Sequence, residues 1–158
     1  MNAVPGSGDA ESGATGAGFS SAERAAMKER AAELKAEKRR GRAEEKAAAE
    51  EQAVHERIAE MPESDRALAE RVHNLVTTAA SELRPKLWYG QPAYARDGKV
   101  VCFFRSGQMD KSRYSVFGFN EEANLDDSSG LWPTSFALTT MTDDAAATIR
   151  DLVQRAVA

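Results

Sequence analysis

LWYGQPAYARDGKVVCFF, residues 87–104, decides how this chain folds. Asp97-Gly98 is the strongest short-range hairpin signal, because the tight turn between twisted strands wants positive φ at both central positions. Outward from that turn, Lys99–Phe104 reads as a strand. Its consecutive apolar residues Val100, Val101, Cys102, Phe103 and Phe104 predict a central strand covered on both faces. Upstream, Ala93–Arg96 reads as its partner and Leu87–Tyr89 as a shorter strand. Between these two, Gly90 supplies free backbone rotation, while Pro92 fixes its own φ and keeps Gln91 extended. The product is a rigid bend ringed by Trp88, Tyr89 and Tyr94.

The flanks complete the fold. Before the hairpin, Leu68, Val72, Leu75, Val76, Ala79 and Leu83 form one apolar helical stripe. Pro62 separates that helix from what precedes it, Ser64 or Asp65 is placed to cap it, and Pro85 ends it. After the hairpin come a strand over Arg113–Phe119, a polar loop over Asn120–Gly130 and a strand over Ser135–Met141. Thr142 then caps a final helix, with Asp143 and Asp144 suited to its dipole. Its core side would carry Ile149, Leu152, Val153, Ala156 and Val157. This order of elements predicts an α+β domain over residues 61–158 with a mostly antiparallel sheet packed by helices.

Two segments precede the domain. Residues 1–19 are mainly Gly, Ala and Ser, a composition that buries too little surface to offset chain entropy and predicts a disordered tail. Residues 20–60 switch to Ala, Glu, Lys and Arg, strong helix formers, with Ser20 or Ser21 as the cap. Apolar positions are too sparse for a coiled coil. Gly41 costs about 1 kcal/mol relative to Ala, which predicts two solvated helical pieces. The second would dock on the domain through Val54, Ile58 and Met61.

The totals exclude several classes. The chain has 158 residues and a net charge of −4, so no global basic field attracts nucleic acid or an anionic membrane. No apolar run approaches the roughly 20 residues that cross a bilayer, and the N-terminus lacks the charged and apolar regions of an export signal. One cysteine forms no internal disulfide. The expectation is a cytoplasmic protein without a membrane partner.

Candidate chemistry is thin. Cys102 sits mid-strand between apolar neighbours and reads as a packing residue. His55 and His73 fall on separate helices and, with no C-x-x-C or H-E-x-x-H pattern, no metal cluster is expected. Glu121, Glu122, Asp126 and Asp127 form an acidic loop without calcium-loop spacing. Arg105, Lys111 and Arg113 bracket a loop beside Tyr114. The region from residue 61 onward carries more acids than bases, which argues against a nucleic-acid site there. Lys35, Lys38, Arg39, Arg40 and Arg42 make a local basic knot in the helical arm, a candidate contact for nucleic acid or an acidic protein, though flanking glutamates blunt it. No phosphate-binding or serine-nucleophile motif occurs. The remaining candidate is the bend, where Trp88, Tyr89, Gln91, Pro92 and Tyr94 are placed to line a shallow ligand pocket with few polar handles.

Tyr89, Gly90, Gln91, Pro92, Ala93 and Tyr94, followed by Gly98 and Lys99 at the turn, resemble the hallmark of the YdhG-like family of small bacterial domains. Gln91 stands where the family more often has Met. The resemblance covers roughly residues 64–158 and leaves the charged helix outside. It implies a compact α+β domain with a curved sheet and a non-enzymatic role, and iron as a cargo, since one member is treated as an intracellular iron chaperone. No metal-ligand motif transfers residue by residue. The expected function is therefore binding of a small ligand or metal without catalysis. The alternative is an interaction module that works through the helical arm.

Overall fold

The computed structural model describes residues 18–158, so the tail expected over residues 1–19 lies almost wholly outside the described residues. The chain divides into two compact units, the first ending at Glu44 and the second running Glu45–Ala158.

One helix, α1 (Ser21–Ala59), crosses the boundary without a break. The hydroxyl of Ser20 accepts the N–H of Glu23 at 3.0 Å and caps it, as its sequence predicts. The expected interruption at Gly41 does not occur. Its cost is local, and the alanines, glutamates, lysines and arginines on either side favour helix at every position. Arg30 reaches Glu33 at 3.2 Å, an exposed pair worth a few tenths of a kcal/mol.

In the second unit, Val54 and Ile58 of α1 are buried together with Met61, as expected. Pro62 forms the N-terminal boundary of α2 (Glu63–Ala79), which has no side-chain cap. Ser64 and Asp65, expected as caps, instead lie in the first turn. Asp65 is buried and accepts the Ser106 hydroxyl and the Gln108 N–H, the latter at 2.9 Å, so it ties α2 to the loop after the central strand. The helix ends at Ala79 rather than at Pro85, and buried Leu83 belongs to the connecting turn.

Five strands follow: β1 (Arg84–Trp88), β2 (Gln91–Arg96), β3 (Lys99–Arg105), β4 (Ser115–Phe119) and β5 (Ser135–Leu138). They form an open antiparallel sheet in sequence order, with β3 in the centre. The hairpin at Asp97-Gly98 forms as read, with φ of 52° and 80°. The first two strands are longer than the sequence suggests because both tolerate a proline. Pro85 lies on the edge strand β1. Pro92 lies just outside the β2–β3 register, which starts at Ala93↔Phe103. The last helix, α3 (Asp143–Ala156), is capped by Thr142, whose Oγ1 accepts the Ala145 N–H at 3.0 Å.

The two faces of the sheet differ. On the inner face Tyr94, Val101, Cys102, Phe104 and Phe117 pack with Val54, Val72, Val76 and Val153 in the main core. On the outer face Ala93, Ala95 and Val100 form a small cluster with Trp88 and Phe103, all sheet residues. The central strand is thus not covered by helices on both sides. Its apolar run has another cause. The pairing passes from Tyr94↔Cys102 to Ala95↔Val100, leaving Val101 as an extra residue on β3. This bulge breaks the alternation, so the successive residues Val101 and Cys102 both join the inner core. Among the described residues no helix is long and apolar enough to cross a membrane.

Candidate functional site: an aromatic groove on the outer face

The groove begins at the turn between β1 and β2. Trp88 pairs with Gln91, leaving Tyr89 and Gly90 as a two-residue loop with φ of 49° and 76°. Such loops favour Asn or Gly at the first position, since a left-handed backbone crowds any larger side chain, at a cost of about 1–2 kcal/mol. Tyr89 occupies that position with 88% of its surface exposed. Its ring meets Trp88 edge-on at 5.0 Å, and Trp88 lies 5.3 Å from the ring of Phe103. Phe103 in turn rests on Gly118 of β4. A Cβ at residue 118 would come within 2.5 Å of its ring, so glycine is what lets the ring lie there.

Trp88, Tyr89, Gln91, Phe103 and Arg105 line a cleft of about 360 Å³. A second depression of about 490 Å³ shares Phe103 and Arg105 and extends to Tyr114 and Val116. The guanidinium of Arg105 is held by Asp110, with Oδ2 at 2.8 Å from one terminal nitrogen and 3.0 Å from Nε. At the far end, the Arg113 guanidinium stacks over Tyr114 at 5.1 Å. Three rings in a row are thus followed by a cation on the outer face, and the groove can hold a flat group by stacking and an anionic edge by Arg105.

Three of the five residues assigned to the pocket from sequence meet here: Trp88, Tyr89 and Gln91. Gln91 is less free than its position suggests, because its buried side-chain oxygen accepts the Ser106 N–H at 3.3 Å. Pro92 is fully buried and does not line the cleft. Tyr94 belongs to the other face, where its hydroxyl lies 3.0 Å from His73 Nδ1, and burial pushes that hydroxyl's pKa upward, with a smaller contribution from Cys102. Both corrections follow from strand alternation, since Ala93 faces outward and its neighbours do not. Phe103, Arg105 and Tyr114 were missed as pocket residues. Phe103 looks like core in a run of apolar residues, and only the bulge beside it reveals which face it takes.

The other candidates resolve as follows. Cys102 is buried and its thiol pKa is driven up by burial, the setting of a packing residue rather than a nucleophile. The acidic loop gathers no ligand set among the described residues; Asp127 instead accepts the Ser129 N–H at 2.8 Å, which lowers its pKa. His55 and His73, expected to stand apart, are neighbours with ring centroids 4.9 Å apart. The pKa of His73 is lowered by burial and then by His55, with Glu51 opposing.

The basic knot is sharpened by the unbroken helix. At about 100° per residue, Arg24, Lys28, Lys35, Lys38, Arg39 and Arg42 fall on one face of α1, with Glu29, Glu33, Glu37 and Glu44 opposite. Arg40 points away from this stripe. All six basic side chains are exposed and, among the described residues, none enters an ion pair. Of the flanking glutamates, Glu33, Glu37 and Glu44 are turned to the other side of the helix, while Glu45 borders the stripe one turn after Arg42.

Set against protein-family models, curated proteins and solved structures, the chain matches none.

Proposed function

We propose that the domain is a YdhG-like, non-catalytic binding module whose ligand is a small planar molecule with an anionic edge, stacked along Trp88, Tyr89 and Phe103 and met by Arg105. The observation that carries this is Tyr89. A tyrosine in left-handed backbone at a tight turn weakens the fold, and with 88% of its surface exposed it recovers little by burial. A residue kept in such a place at such a cost serves a contact outside the chain. The cleft is also the right size for a compact ligand, at about 360 Å³. Iron is not part of this reading: Trp88, Tyr89, Gln91, Phe103 and Arg105 bring no carboxylate, thiol or imidazole to the cleft.

Thermal-shift screening with aromatic carboxylates and their uncharged analogues, followed by calorimetry, tests the proposal. A binder should prefer the carboxylate form, and Trp88→Ala or Tyr89→Ala should weaken it about tenfold or more, the scale of one lost stacking partner. Unchanged affinity in both variants would refute the groove as the site.

A second reading is supported by the exposed, unpaired stripe on α1: docking of this helix on a polyanionic surface such as nucleic acid. Binding of a short duplex should then weaken steeply with salt. Replacing Lys35, Lys38, Arg39 and Arg42 with alanine should flatten that slope; a slope left as it was would remove the idea.

A further inference from the structure

Glu51 and His55 stand one turn apart on α1, and His73 comes from α2 beside them. One carboxylate oxygen and two imidazole nitrogens lie within 4.8 Å of one another. His55 Nε2 is 3.8 Å from Glu51 Oε1, and the two imidazole rings meet at an interplanar angle of 66°. The sequence offers no familiar ligand motif here, because the set is split between a one-turn pair on one helix and a single residue on the next.

The surroundings of His73 are what a ligand needs. The residue is buried, and its Nδ1 lies 3.0 Å from the buried hydroxyl of Tyr94. In the tautomer that donates Nδ1–H to the tyrosine oxygen, Nε2 carries the free lone pair. A hydrogen bond at the far ring nitrogen is how metal-binding histidines are held in orientation. Glu51 and His55 are exposed, so both can turn toward a cation while His73 stays fixed. The movement required is small: ligand atoms about 2.0–2.2 Å from a tetrahedral zinc sit roughly 3.3 Å from each other.

We propose that Glu51, His55 and His73 form a site for a divalent first-row transition cation of the zinc class, which would clamp the end of α1 to α2 and keep at least one coordination position open to solvent. The donor set selects the metal class. Two imidazoles and one carboxylate suit zinc, cobalt or iron, whereas calcium and magnesium prefer oxygen ligands throughout. The site is independent of the groove, since Tyr94 at its base belongs to the inner face of the sheet.

The test uses the full chain, free of any affinity tag and stripped with chelator. Zn²⁺ should raise the melting temperature, Mg²⁺ should not, and Co²⁺ should develop visible ligand-field absorption. Glu51→Gln and His55→Ala should each weaken Zn²⁺ binding about tenfold or more, while the metal-free melt of both variants stays as in the parent chain because both side chains are exposed. Absence of a Zn²⁺ response in the parent, or parental Zn²⁺ affinity in both variants, would overturn the proposal.

Discussion

The inner and outer faces of one sheet are built by different means. Inside, aromatic and aliphatic side chains from the strands interlock with residues of all three helices, so Tyr94, Phe104 and Phe117 are fully buried. Outside, the sheet covers itself: Phe103 lies over Gly118, Trp88 leans on Phe103, and Tyr89 leans on Trp88 at the rim. The inner face shows what stability needs. The outer face keeps rings in positions that stability alone does not explain.

Truncation on each face measures that difference. Phe104→Ala empties a fully buried site and should cost about 3–5 kcal/mol, read from the midpoint of chemical denaturation. Phe103→Ala, one residue along the same strand, removes a half-buried ring and should cost about 1–2 kcal/mol, since part of its surface stays in contact with water and its neighbours are only other sheet residues. Equal losses would mean that the outer face is a core in its own right, and the contrast would collapse. The smallest effect has the opposite sign. Tyr89→Gly relieves the left-handed backbone and should raise stability by about 1 kcal/mol, measured by thermal melting, while weakening the proposed groove binding about tenfold or more. A loss of stability instead would show that the exposed ring supports the hairpin.

Much of the architecture was legible because local chemistry and tertiary packing agree. Asp97-Gly98 set the turn, Thr142 the start of the last helix, and the stripe of Leu68, Val72 and Val76 the helix that closes the inner face. The misreadings arose where a local rule was outvoted. Gly41 sits inside a helix whose neighbouring alanines, glutamates, lysines and arginines favour it. Pro62 starts α2 in place of Ser64 or Asp65, and Asp65 is drawn into a hydrogen-bonded tie with Ser106 and Gln108. The site was only half visible. Strand alternation separates Tyr94 from Trp88 once the strand limits are known, but the shift at Val101 that fixes the orientation of Phe103 has no sequence mark. The meeting of His55 with His73 depends on how two helices pack, which neither helix encodes alone.

The proline on the outermost strand carries a last consequence. In the β1–β2 ladder, Trp88↔Gln91 closes the hairpin, and counting back along the register places Pro85 at a position whose amide would face away from β2. Its ring therefore removes a donor from the free rim of the sheet without costing an internal bond, and Arg84 and Lys86 set a positive charge on either side. A stray strand arriving at that rim finds no continuous row of amides to zip onto, so this edge disfavours side-by-side pairing of one sheet with another.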